Sequence, residues 1–333
     1  MKKNHLIPGN NENASELKKK LDYYAAKRQK HSNISMLLAL IGLIAVVAGL
    51  FTGAITKGWV VLGGFFIFAV ALIYAGFLAD PMERAFYETF EEGYMRPILN
   101  ERFPGGFKYN RKKGFTKAEL KAMRLMHPIR KHETRRMLSV NCRGIDITTC
   151  HAMFVKGRGV SEKRKQRREM VCFIQGQFLK LSGTGVSVGS IMIRPVGVYD
   201  TEGVRYRRSR PEMLVIGAGT EDMNKVYEVL STEPDAAAEF LDEARCGRLL
   251  RVRRILKHYS PNTGIFMWLH GDMAEVLLTN WDNGLMPSMN TAMKESYYPA
   301  CVTRTANMID CVAYIFNGEQ ELPPFDFELE EEV

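Results

Sequence analysis

Six cysteines and seven histidines are the most chemically versatile side chains in this 333-residue chain, so their spacing comes first. Cys142, Cys150 and His151 lie close together, with His127 and His132 upstream. Zinc sites usually present ligands in pairs two to four residues apart. That pairing is missing, and no metal or other cofactor is expected. Cys150 with His258 or His270 would supply a thiolate–imidazole pair, but a chain this rich in both residues offers such combinations by chance. The cysteines (142, 150, 172, 246, 301 and 311) show no C-x-x-C spacing and read as reduced, mostly buried thiols.

Two glycine-rich segments invite a phosphate reading. Leu214-Val-Ile-Gly217-Ala-Gly219 resembles the entry to a dinucleotide site, but the third glycine of that pattern falls on Asp222, beside Glu221. Carboxylates there repel a pyrophosphate. A strand ending in a turn is the reading that stands. Gly183-Thr-Gly185-Val-Ser-Val-Gly189 lacks the Gly-Lys-Ser/Thr of a P-loop and reads as a hairpin turn. No catalytic residue is assigned. The expectation is a binding or scaffold module, with a membrane-tethered enzyme of unrecognised site as the alternative.

The strongest binding signal is charge. Residues 102–168 hold 20 Lys/Arg against four acidic residues. The candidate anion-binding surface comprises Arg111, Lys112, Lys113, Arg130, Lys131, Arg135, Arg136, Lys163, Arg164, Lys165, Arg167 and Arg168. Anionic lipid attracts such residues at roughly 1 kcal/mol each near the surface. A solvated loop face, or pairing with the acidic C-terminus, is the competing reading. Nucleic acid is disfavoured: from residue 80 onward 37 basic residues face 34 acidic ones, and no recognition motif accompanies them.

These cations follow two uncharged runs. Residues 32–56 and 58–79 contain no charge, and only Lys57 separates them. A bilayer core needs about 20 apolar residues. Both runs exceed that, so transmembrane helices are predicted over 34–56 and 58–79, with Trp59 as an interfacial anchor. Small residues recur every fourth position, at Ala45, Gly49 and Gly53 and again at Ala71, Ala75 and Ala79. That spacing lets helix backbones approach in lipid. It predicts the packing faces of a hairpin, and Gly49-x-x-x-Gly53 offers a homo-oligomer the same contact.

Lys18, Lys19, Lys20, Lys27, Arg28 and Lys30 precede the first span, whereas the inter-span turn has only Lys57. The positive-inside rule then places residues 1–33 (a basic tail with a helix over 14–30) in the cytoplasm, and the hairpin returns the C-terminus to the same side. A stalk is predicted over 80–107, a cytosolic α+β domain over 108–317 and a disordered acidic tail over 318–333. Thr116-x-x-Glu119 marks a capping box. Strands are predicted from about 137 to 151 and near 170–181, 189–194, 212–217, 264–270 and 273–279, the last two as a hairpin. Helices are predicted over 234–257 and 302–316. Runs of strands followed by helices indicate α+β, not a doubly wound sheet.

Within this order, Phe173-Ile-Gln-Gly176-Gln-Phe178, then Met223-Asn-Lys-Val-Tyr227, then Ser231 and Pro234-Asp235-Ala-Ala carry a likeness. The chain resembles the bacterial membrane-protein family catalogued as domain of unknown function 3137, over roughly residues 86–316 and the hairpin. It departs at Met223 and Tyr227, where the family tends to have Phe, and at Glu239-Phe240-Leu241. The resemblance implies the hairpin-plus-domain architecture and a bacterial inner-membrane location. It carries no catalytic residues. The partners expected from the apolar runs and the basic stretch are the bilayer itself and an unidentified protein or anionic lipid.

Overall fold

A computed structural model describes residues 11–51, 54–122, 131–158, 169–186, 188–196, 213–217, 219–281, 285, 287, 289, 293–294, 296–318 and 321–322. The chain divides into two compact units, Met1–Ile98 with Met286–Thr303 and Leu99–Leu285 with Arg304–Val333.

The first unit is helical. Helix α1 (Asn11–Phe51) is unbroken, so the expected tail helix and first span are one rod. At 1.5 Å per residue it is about 60 Å long, twice a hydrocarbon core. Helix α2 (Ala54–Tyr74) returns alongside it and continues through a π-helical segment, Ala75–Ala79, into α3 (Asp80–Phe90). A second π segment, Glu91–Met95, leads into α4 (Arg96–Arg102). Both π segments have one cause. A proline ring collides with the carbonyl four residues earlier. Pro81 and Pro97 each stand two residues past a π segment, where the widened turn moves that carbonyl aside and the N–H of Asp80 or Arg96 bonds five residues back, to Ala75 or Glu91.

The α1–α2 seam is built from absence of side chain. A Cβ on Gly42 would stand 2.8 Å from the Gly64 carbonyl oxygen, and one on Gly49 2.8 Å from Val61. Ser35 donates to the Ala71 carbonyl at 2.8 Å. Ser35, Gly42 and Gly49 recur every seven residues, as do Gly64 and Ala71, which is the repeat that keeps one seam facing a partner helix. Of the residues predicted by fourfold spacing, Gly49, Ala71 and Ala79 are buried and Ala45 and Ala75 are half-buried. Gly53 lies outside the described residues. The closest approach, at Gly42 and Gly64, falls outside that pattern because the helices cross with a sevenfold repeat.

Towards its N-terminal end α1 meets the end of α2, α3 and the second π segment through polar and aromatic groups. Arg28 pairs with Glu83 at 3.3 Å, His31 Nδ1 is 2.9 Å from the Tyr74 hydroxyl, and the Tyr94 hydroxyl donates to the Ala14 carbonyl at 3.4 Å. Tyr298, near the start of α9 (Tyr297–Phe316), stacks on Tyr94 at 5.7 Å and closes a cluster with Phe86 and Phe90.

The second unit is a nine-stranded antiparallel sheet with helices, an α+β arrangement. Its strands are β1 (Phe107–Asn110), β2 (Lys131–Cys142), β3 (Ile145–Arg158), β4 (Glu169–Ser182), β5 (Val188–Pro195), β6 (Leu214–Ile216), β7 (Tyr227–Ser231), β8 (Gly264–Gly271) and β9 (Met273–Thr279). They are ordered β1-β2-β3-β4-β9-β8-β5-β7-β6. The chain lays a meander through β4, skips two places to β5, and later inserts the β8–β9 hairpin into the gap. Among the described residues its other helices are α5 (Lys117–Ala122), α6 (Glu221–Val226), α7 (Pro234–Phe240) and α8 (Glu243–Tyr259). Phe115, Cys150, Phe178, Leu230, Trp268 and Leu277 belong to one buried apolar cluster.

Several predicted elements form where expected, including the β8–β9 hairpin and the capping box. There Thr116 N–H donates to Glu119 Oε2 at 2.6 Å and Glu119 N–H to Thr116 Oγ at 3.2 Å, which holds the Glu119 carboxyl below its usual range. The single helix expected over 234–257 is two. Leu241 leaves helical geometry, and Asp242 starts α8 by accepting the Arg245 N–H at 2.6 Å. The acidic tail expected to be disordered falls largely outside the described residues.

Candidate functional site: two cationic clusters

Of the twelve predicted basic residues, the described structure brings five to one place. Asn110 ends β1, and its side chain accepts the Lys112 and Lys113 N–H groups at 3.1 and 2.9 Å, folding Arg111–Lys113 into a tight turn. That turn bonds to a bulge in β2. Arg136 N–H donates to the Arg111 carbonyl and Met137 N–H to the Lys113 carbonyl, each at 3.0 Å. The β2–β3 register breaks between Arg135 and Leu138, and Arg136 adopts φ +63° to allow it. Beneath the turn Phe115 meets Phe178 edge-to-face at 5.6 Å. Arg111, Lys112, Lys113, Arg135 and Arg136 therefore share one sheet edge, with Lys112, Lys113 and Arg135 exposed and Arg135 3.6 Å from Glu133.

Lys131 begins β2 opposite Val155. Arg130, Lys163, Arg164, Lys165, Arg167 and Arg168 lie outside the described residues. Cations at a sheet edge also block pairing with another sheet, so the same residues have a purely structural use.

A second cluster escaped the sequence reading. Cys142, Arg143, Gly144 and Ile145 form a two-residue hairpin turn, with positive φ at Arg143 (56°) and Gly144 (79°). The turn aims Arg143 at α9, where its Nε donates to Asp310 Oδ1 at 2.6 Å and its terminal nitrogen to the Glu321 carbonyl at 3.2 Å. Arg102 takes the other Asp310 oxygen at 2.5 Å. From α8, Arg248 Nε donates to the Ile315 carbonyl at 3.3 Å, and Arg251 stands 5.9 Å from the Tyr314 ring, which Arg143 approaches to 5.4 Å. Four guanidinium groups thus lie along the last two turns of α9, two of them on the Asp310 carboxylate. Two signals were available in the sequence: α8 carries six cations against Glu243, and Asp310 is the sole acid in α9.

The other candidate chemistry resolves into packing. Burial pushes the Cys150 thiol up to about 12 within its apolar cluster, opposite to what a nucleophilic thiolate requires. Burial, then the neighbouring Asp310 charge, pushes Cys142 up to about 12 as well. Among the described residues no three His, Cys, Asp or Glu converge as metal ligands. The glycine turn after β4 cradles an anion, but its own: Gly183 and Gly185 N–H donate to the Asp272 carboxylate at 3.2 and 3.0 Å. After Gly219, at φ +86°, Thr220 caps α6, with Glu221 and Asp222 in its first turn. The chain matches no known protein family, no curated protein and no solved structure.

Proposed function

We propose that this protein is a membrane-anchored binding module whose sheet unit docks on anionic lipid headgroups through the β1–β2 edge. One observation carries the anchoring. Apolar side chains all around the upper hairpin, among them Met36, Leu40, Ile44, Phe51, Trp59, Phe66, Leu72 and Phe77, are exposed, while the seam buries glycine and alanine. Only 11% of either apolar window is buried, far below a soluble core helix. Water would penalise that surface at about 25 cal/mol per Å²; hydrocarbon would not.

The positive-inside rule counts Lys and Arg whatever their partners. The ion pairs of Lys18 with Asp22 and Lys20 with Glu16 therefore leave the orientation argument intact. Both ends then lie in the cytoplasm, and the resemblance noted above adds a bacterial inner membrane. β1 begins five residues after Arg102, so a short connection tethers the cationic edge. Each docked cation contributes roughly 1 kcal/mol.

Full-length protein in nanodiscs provides the test. Trypsin cleavage after Arg111, Lys112 and Lys113 should slow in discs of anionic phospholipid relative to zwitterionic ones, and high salt should remove the difference. Equal rates in the two lipids would refute lipid docking and leave a protein partner as the edge's ligand.

A further inference from the structure

The α8–α9 arginine cluster carries more positive charge than its described neighbours neutralise. Arg102 and Arg143 share Asp310. Arg248 gives one N–H to a carbonyl, and Arg251 faces an aromatic ring. Among the described residues no carboxylate pairs with either α8 arginine. Both are half-buried, and three residues apart they are neighbours on one helix face. Like charges held this close repel unless another anion joins them, since the screening length near physiological salt is about 8 Å.

The chain supplies such an anion. The last described residues, Glu321 and Leu322, lie at the cluster, where Arg143 holds the Glu321 carbonyl and Leu322 is buried. Beyond them the sequence reads Pro323-Pro-Phe-Asp326-Phe-Glu328-Leu-Glu330-Glu331-Glu332-Val333. Asp326 is four residues past Leu322, a reach of about 13 Å, and Glu330 is within about 26 Å. Acids at 326, 328 and 330 alternate with Phe325, Phe327 and Leu329.

We infer that Arg248 and Arg251, with the Arg102–Arg143 pair behind them, are the intramolecular receptor for the acidic C-terminal segment. The interaction is an in-chain electrostatic latch, independent of the bilayer reading. Arginine suits it because its planar fork can take two carboxylate oxygens at once.

The test uses full-length R248K/R251K in detergent, which keeps both charges and adds amines. A zero-length carbodiimide joins an amine only to a carboxylate in contact. Peptide mass spectrometry should find links from position 248 or 251 to Asp326, Glu328 or Glu330, and these should vanish in high salt. In parallel, a glutamate-specific protease should cut after Glu328 about fivefold faster in R248E/R251E than in the parent chain at low salt, the factor expected for one modest ion pair. Absence of those links, or equal cleavage rates, overturns the latch. Links joining two copies would overturn it too, by assigning the receptor to a second chain.

Discussion

Along the α1–α2 seam the smallest side chains are the buried ones; in the sheet unit the largest are. Gly42, Gly49, Gly64 and Ala71 line the α1–α2 seam while leucines and phenylalanines face outward. Trp268, Trp281, Tyr227 and Phe178 are among the largest fully buried side chains of the sheet unit. The difference is the one that the proposed anchoring in lipid would produce. In water, burying a large apolar side chain is worth about 1.5–3 kcal/mol, so size goes inside. In hydrocarbon a leucine gains nothing by leaving its surroundings, and backbone proximity decides which residues are hidden.

The comparison breaks most sharply at glycine. Gly42→Leu should destabilise the hairpin by about 3 kcal/mol or more, because its side chain must displace the Gly64 backbone. Gly63→Leu, with nothing within 4 Å, should leave it unchanged. Thermal unfolding in detergent reads both, and equal effects would mean that the seam is not the structural contact. In the sheet unit the corresponding weak point is a charge. Asp310→Asn should cost about 3 kcal/mol by leaving Arg102 and Arg143 without their carboxylate, somewhat less than a fully buried pair because Arg102 is 28% exposed. Denaturant unfolding of the full chain checks it.

A smaller effect follows from the thiols. Cys142 and Cys150 keep their protons in the fold up to about 12, whereas an unfolded chain releases them near 8.5. Their contribution is complete below the unfolded value and is lost as pH rises towards the folded one. Stability at pH 9.5 should therefore be lower by about 1 kcal/mol per thiol than at pH 7. Alanine at both positions should flatten that slope, measured against the parent at each pH.

How much of this was legible beforehand depended on range. The two uncharged runs, the Thr116–Glu119 cap and the tight turn at Gly271-Asp272 are written in neighbouring residues and could be read directly. The α+β class followed from the order of elements. The seam was read in part: Gly49 and Ala71 lie in it, but Gly42 and Gly64 were missed because a fourfold motif describes one helix, while the contact repeat is set by two helices crossing. The α7–α8 break was hidden by an apolar pattern that continues across Leu241, and Asp242 was the cap that marked it. The α8–α9 cluster joins Arg102, Arg143, Arg248, Arg251 and Asp310 across more than two hundred residues. Only the fold brings them together, although the lone acid in α9 was a visible oddity.

The π segments before Pro81 and Pro97 have a consequence beyond accommodating a ring. Each absorbs one surplus residue into an otherwise regular rod, and at 3.6 residues per turn one residue rotates everything beyond it by about 100°. The rod can thus change which stripe faces α1 without being cut. After the first adjustment, Phe86 and Phe90 are fully covered. In the second, Gly93 comes so close to Leu17 that a Cβ there would collide. The π segments before two prolines sixteen residues apart thus act as phase correctors, letting one continuous helix change the stripe it presents along its length.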